Sequence, residues 1–219
     1  MRLKFLPSFA KRRGRITKSQ EENLKLLPNF SIKTLIDIEK AALDFKYCCL
    51  EVGFGNADSI GQDALNNPEI LFVGSEVYMS GIGSLLGIIK DNNINNVKIF
   101  SDDIRLLLDT KNPIETFDAI KIICPDPWPK ERHHKRRLIN NSFLELLHRS
   151  MKQKANLYIS TDWENYADSI NETLHKSSLF DESKSIFLEK KGLTKFEERG
   201  QNEGRDIFEF NFQKGNHPS

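Results

Sequence analysis

The sequence predicts an α/β protein whose core is a doubly wound, mostly parallel sheet of seven strands. Three observations carry this. Short apolar runs alternate with helical stretches from Tyr47 onward, four successive runs end in an acid, and the last two runs have no strong helix between them. Repeated βα units need right-handed crossovers and bury both faces of a parallel sheet. Two strands without a crossover predict an antiparallel C-terminal hairpin at one sheet edge.

Before that pattern starts, Glu21 to Leu27 and Ser31 to Phe45 have helical periodicity, with Pro28 separating them and Ser31 placed as a cap. The strands then read Tyr47 to Val52, Ile70 to Val77, Val97 to Phe100, Phe117 to Cys124 and Ala155 to Ser160. Each is a short apolar run of strand length. Between and after them, Asp58 to Leu65, Gly81 to Lys90, Asp102 to Leu108, Ser142 to Met151 and Trp163 to Lys176 have the apolar spacing of crossover helices. Ser185 to Glu189 and Arg205 to Phe212 complete the edge. No internal repeat or interdomain linker interrupts the chain, so residues 21–219 read as a single domain.

Residues 1–20 differ. They carry seven bases and no acid, against a net charge of +1 for all 219 residues, so the remainder is acidic by about six charges. A flexible basic tail on a mildly acidic body fits a polyanionic partner, and it equally fits a solvated arm; an Arg-rich, acid-free start is also the composition of a transit peptide. The longest nearly apolar stretch, Gly81 to Ile89, is half the length a membrane-spanning helix needs, and the three cysteines form no CxxC pair. These features point to a cytoplasmic protein with buried free thiols, no membrane partner and no metal site.

The chemistry concentrates where the strands end. In YCCLEVGFGNAD, Glu51 closes an apolar strand, and Gly53 and Gly55 permit a tight turn close to a ligand. A dinucleotide fingerprint requires glycine where Asp58 stands, which disfavours a pyrophosphate, and Glu51 suits an ammonium such as that of S-adenosylmethionine. By itself the GxG is as good a tight turn as a cofactor loop. Glu76 follows Glu51 by one βαβ unit, where an acid can chelate ribose hydroxyls. Asp102 and Asp126 close the next two strands, although Asp102 or Asp103 also suits a helix cap. Open α/β sheets bind ligands at this carboxyl edge, so the register of four acids favours a cofactor site.

In CPDPWPKERHHKRR, three alternating prolines stiffen a loop that presents Asp126 and Trp128. Trp128 there can stack on a base or pack against the prolines. Five Lys or Arg residues then follow between Lys130 and Arg137, a density suited to phosphates.

Together LEVGFGNAD, GSEVY, CPDPWPKERHHKRR, STDWENYA and TKFEERG closely resemble the bacterial tRNA (guanine-N7-)-methyltransferase family, from about Leu50 to Gly204. The resemblance implies a class I, Rossmann-like methyltransferase fold, S-adenosylmethionine as cofactor, and tRNA as substrate, with the guanosine at nucleotide 46 of the variable loop as target. It implies that Glu51, Gly53, Gly55, Glu76, Asp102 and Asp126 bind the cofactor, with Asp126 closest to the catalytic centre. It implies that Lys130, Asp162, Thr194, Lys195, Phe196 and Glu197 bind substrate, and that Arg132, His133, His134, Lys135, Arg136 and Arg137 contact RNA. Asp162 also suits a cap for the helix starting at Trp163. Ala57 stands where the family often has a third glycine, Tyr78 where a histidine is common, and the end after Gly204 lacks the usual His and Trp. No obligate protein partner is expected, and monomer and homodimer stay open. The remaining alternatives are methylation of another RNA base or exocyclic amine, a noncatalytic RNA-binding relative, and, weakly, a nicotinamide dehydrogenase.

Overall fold

A computed structural model describes residues 5–9, 15–188 and 194–216, without the side chains of Lys195 and Phe196. The elements run α1 (Lys18–Asn23), α2 (Leu27–Phe30), α3 (Leu35–Ala42), β1 (Tyr47–Val52), α4 (Asp58–Asn66), β2 (Ile70–Ser75), α5 (Met79–Asn92), β3 (Val97–Phe100), α6 (Ile104–Leu108), β4 (Phe117–Ile123), α7 (Asn141–Ser150), β5 (Met151–Thr161), α8 (Glu164–Lys176), β6 (Phe180–Glu182), α9 (Lys195–Asn202) and β7 (Phe208–Lys214). The strands form a single seven-stranded sheet in the order β3-β2-β1-β4-β5-β7-β6. β1 to β5 are mutually parallel, and β7 inserts antiparallel between β5 and β6. The expected mixed sheet with its antiparallel edge is therefore present.

The strands are apolar throughout because helices cover both faces. One buried cluster includes Leu50, Val73, Ile120, Phe143, Leu147 and Tyr166; the other, on the opposite face, includes Cys49, Phe72, Ile60, Leu85 and Ile99. Cys48 and Cys49 are buried free thiols and Cys124 is partly buried. Burial pushes the Cys48 thiol up to about 12. No helix of the described residues is long and apolar enough to cross a membrane.

Several boundaries differ from the sequence reading. Ser31 does not start a helix: it is the C-cap of α2 and bridges to Ile99, and the Ile32 N–H donates to the Ile99 carbonyl at 3.0 Å. The cap is Thr34, in a reciprocal box with Asp37. Pro28 does not separate helices. It stands in the first turn of α2, where a missing N–H leaves no bond unmade. The edge strand is Phe180–Glu182 rather than Ser185 to Glu189, of which Glu189 lies outside the described residues. Ser183 and Ser185 instead give their carbonyls to the Asn211 amide, each at 2.9 Å, and so leave the ladder. A helix, α9, does stand before β7; Thr194 caps it in a box with Glu197.

Chain reversals after β1 require the left-handed region at Gly53 (φ 71°) and Gly55 (φ 56°), and Ala57, fully buried, also takes φ 73°. That conformation costs an L-residue about 1 to 2 kcal/mol. A glycine at Ala57 removes that strain, loses about 0.8 kcal/mol of buried methyl and frees the unfolded chain by about 0.4 to 1 kcal/mol. Ala57→Gly should therefore shift stability by less than about 1 kcal/mol, while Ala57→Val, branched and overpacked there, should lose about 2 kcal/mol or more. Urea unfolding measures both, and a tolerated valine would contradict the left-handed turn.

Candidate active site

The sheet reverses winding between β1 and β4, and there the carboxyl ends of β1, β2, β3 and β4 open a pocket. It encloses about 1050 Å³, part of it open to solvent, and Glu51, Glu76, Asp102 and Asp126 all line it. The structure thus brings together the four acids read from the strand ends. Gly53 and Gly55 line it too, as do Ser8, Phe9, Tyr78 and Thr194.

Each acid is held differently. Glu76 is buried, yet its Oε2 accepts the Gly55 N–H at 2.8 Å and its Oε1 accepts those of Val77 and Tyr78 at 2.7 and 3.0 Å. Burial pushes this carboxyl up, the three N–H donors oppose that, and the charge of Asp126 adds to it. These bonds fasten the glycine turn to the end of β2. α5 completes the fastening: a Cβ on Gly81 would stand 2.1 Å from the Gly55 carbonyl oxygen, so only glycine fits.

Glu51 is 2% exposed. Its Oε2 accepts the Ser59 hydroxyl at 3.1 Å and lies 3.8 Å from the Lys121 ammonium, which is also paired with Asp63. Burial pushes Glu51 up and Lys121 pulls it back. Lys121 and Ser59 escaped the sequence reading; a lysine inside the apolar run of β4 was the available signal. Asp102 is exposed and accepts the Asp103 N–H at 2.7 Å. Asp103, not Asp102, caps α6 and pairs with buried Arg105 at 2.6 Å.

The loop after β4 turns through two left-handed residues, Cys124 (φ 47°) and Trp128 (φ 46°). Asp126 between them is exposed toward the pocket it lines. Trp128 is engaged within the chain. Its indole N–H donates to the Ser8 carbonyl at 2.9 Å, His133 meets its ring edge-on, and the Arg136 guanidinium lies 5.0 Å from its centroid. Ser8 belongs to a short segment, 5–9, laid across the pocket mouth. The Leu6 carbonyl accepts from Arg105 at 3.0 Å, and Phe9 meets Tyr78 edge-on at 6.5 Å.

The basic stretch divides. Glu131–Arg136 is a 3₁₀ turn in which Arg132 and Lys135 are exposed, beside exposed Lys130; His133, His134 and Arg136 are half-buried. Arg137 is set apart: buried, it donates to the Pro127 carbonyl at 3.0 Å, to the Asn165 side chain at 2.7 Å and to the Asn165 carbonyl at 3.3 Å, and it packs over Tyr166. It fastens the proline loop to α8. Asp162 does not cap α8, whose cap Trp163 makes no side-chain bond; Asp162 pairs with Arg205 at 2.8 Å, beside Gly200 of α9. Thr194 reaches the pocket, and Glu197, fully buried, accepts the Ser160 hydroxyl at 3.0 Å.

A family model described as a putative methyltransferase matches residues 46–210. The chain is 37% identical over 217 residues to a tRNA (guanine-N(7)-)-methyltransferase of Nitrosococcus oceani, covering 95% of this chain and 91% of that one. It is 35% identical to the protein of that name from Methylobacillus flagellatus, covering 94% and 90%. Among solved structures, a mutant 16S rRNA (adenine(1408)-N(1))-methyltransferase from Catenulisporales acidiphilia with cosubstrate SAM has a TM-score of 0.57 at 14% identity, over 84% of this chain and 92% of that one. An aminoglycoside resistance methyltransferase has a TM-score of 0.56 at 11% identity, over 82% and 93%. At these identities the two structures show the fold.

The split between Arg137 and its exposed neighbours is testable. Arg137→Met, which strips two carbonyls and an amide of their donor, should lower stability by about 2 to 4 kcal/mol, whereas Arg132→Ala should stay within about 0.5 kcal/mol. Thermal unfolding compares them; equal effects would contradict the assignment of Arg137 to loop anchoring.

Proposed function

The chain belongs to the bacterial tRNA (guanine-N7-)-methyltransferase family, and on that premise we propose that it methylates N7 of the guanosine at nucleotide 46, in the tRNA variable loop, by in-line displacement without a general base. It is an S-adenosylmethionine-dependent methyltransferase. The observation that carries the proposal is the convergence of Glu51, Glu76, Asp102 and Asp126 on one pocket, beside exposed Lys130, Arg132 and Lys135.

The residues present fit the cofactor. The pocket lies at the carboxyl ends of the strands, the glycine turn leaves backbone open to it, and buried Glu51 offers charge for an ammonium. Glu76 offers ribose hydroxyls the lone pairs its backbone donors leave, and exposed Asp102 lines the same pocket. When bound, S-adenosylmethionine supplies a methyl group on a positively charged sulfur.

What the protein contributes is alignment and charge. Guanine N7 carries an unprotonated lone pair on its major-groove edge, so attack requires no proton removal. Holding N7 in line is worth up to about 7 to 11 kcal/mol. The base becomes cationic as it is methylated, and Asp126 answers that charge electrostatically as a fixed carboxylate. Because N7 of paired RNA lies in a deep, narrow groove, the target is presented at an irregular junction. Lys130, Arg132 and Lys135 steer the phosphates, while Asp162, Thr194 and Glu197 shape the side of the site next to α9, with Lys195 and Phe196 between them in sequence.

The test is transfer of labelled methyl from S-adenosylmethionine to unmodified tRNA transcripts with nucleoside analysis, using a transcript with adenosine at nucleotide 46 as control. Labelled N7-methylguanosine that the control abolishes is expected. An N-methylated exocyclic amine, a product unaffected by the control, or cofactor binding without transfer would overturn the reading. Asp126→Asn should depress turnover roughly 100-fold with no new ionisation in the pH profile. Replacing Arg132 and Lys135 by Ala should weaken tRNA binding and lower its salt slope by about 1 to 2, leaving cofactor affinity unchanged.

A further inference from the structure

β4 places Lys121 in direct register with Glu51 of β1. The lysine is buried, and its Nζ donates to the Ser59 hydroxyl at 3.0 Å and to the Asp63 carboxylate. An ammonium this deep is expensive to desolvate unless carboxylates surround it, and Asp63 and Glu51 do so. Their charges keep Lys121 protonated against its own burial. With both carboxylates ionised the trio carries one net negative charge, which a ligand's ammonium cancels. Ser59 and Lys121 both approach Oε2 of Glu51; among the described residues no donor reaches Oε1, and Glu51 lines the pocket.

We infer that Lys121 is a positioning residue for cofactor binding: with Ser59 it anchors one oxygen of Glu51 and keeps that carboxylate charged, so that the other oxygen receives the ammonium of S-adenosylmethionine. This rests on the reading of Glu51 as the ammonium acceptor given above. Asp63, held against the same lysine, draws part of its charge away from Glu51. The groups facing Glu51 are Lys121 from β4 and Ser59 and Asp63 from α4; the nearby Cys49 thiol is held neutral by burial. Lys121 lowers the pKa of Glu51 and Asp63 raises it, so removing them moves Glu51 in opposite directions.

Calorimetric titration of the full chain with S-adenosylhomocysteine, which keeps the ammonium and lacks the methyl, tests this between about pH 5 and pH 7, below the α-amino range. Wild-type affinity should rise with pH as Glu51 ionises. Lys121→Met should move that rise upward by at least about one pH unit, Lys121→Arg should restore it, and Asp63→Asn should move it downward. A purely structural lysine would weaken binding by one factor at every pH, in Lys121→Met and Asp63→Asn alike, and that result overturns the inference. Should Lys121→Met not fold, Asp63→Asn decides: a downward shift supports the inference, and no shift or an upward one overturns it. Glu51→Gln separates the premise. Unchanged affinity in that variant overturns the reading of Glu51 and the inference with it, whereas lost affinity with unshifted Lys121 and Asp63 variants overturns the role of Lys121 alone.

Discussion

Two carboxylates kept buried at the carboxyl edge of the sheet set the terms for the site around them. Glu51 and Glu76 are each almost without solvent contact, and a buried acid is tolerated only where donors or cations replace its water. Glu76 solves this with three backbone N–H groups, and the same bonds fix the glycine turn and the approach to α5. Glu51 solves it with a hydroxyl and an ammonium from elements on either side. The chain conformation and the charge of the pocket are therefore one arrangement: loosening Glu76 releases the glycine turn, and loosening Glu51 frees its tie to Ser59 of α4 and Lys121 of β4.

The loop after β4 is the second half of that arrangement. Its prolines and two left-handed residues set its course, and Arg137 fastens it to α8 through the Pro127 carbonyl. Fixing the loop holds Asp126 at the pocket, while Lys130, Arg132 and Lys135 remain in solvent. Burial thus divides the basic stretch into an anchor, Arg137, and the exposed cations to which the proposed function gives the steering of phosphates. Trp128 extends the anchoring to the segment at 5–9, whose Ser8 and Phe9 line the same pocket as the four acids.

Much of this was legible in the sequence, for identifiable reasons. Buried parallel strands are short apolar runs, so β1 to β5 could be found within a few residues, and acids that end them fall at one edge by topology alone. What periodicity could not show was any structure set by polar contacts. α9 is nearly all polar, and a capping box with a buried Glu197 defines it. Ser31 looked like a helix start because its pairing partner, Ile99, is far away in sequence. Charge counting placed Arg137 with its neighbours, because composition does not distinguish a guanidinium in solvent from one that donates to Pro127 and Asn165. Lys121 was hidden likewise, its meaning lying in a register across two strands.

A crystal structure of the protein with S-adenosylhomocysteine tests most directly the central claim, that the sheet edge built around Glu51 and Glu76 is the cofactor site. The account predicts the ligand's ammonium on Glu51 Oε1, its ribose hydroxyls at Glu76 and its adenine beside Asp102. A ligand bound elsewhere, or one that turns its amino-acid end away from Glu51, would contradict it.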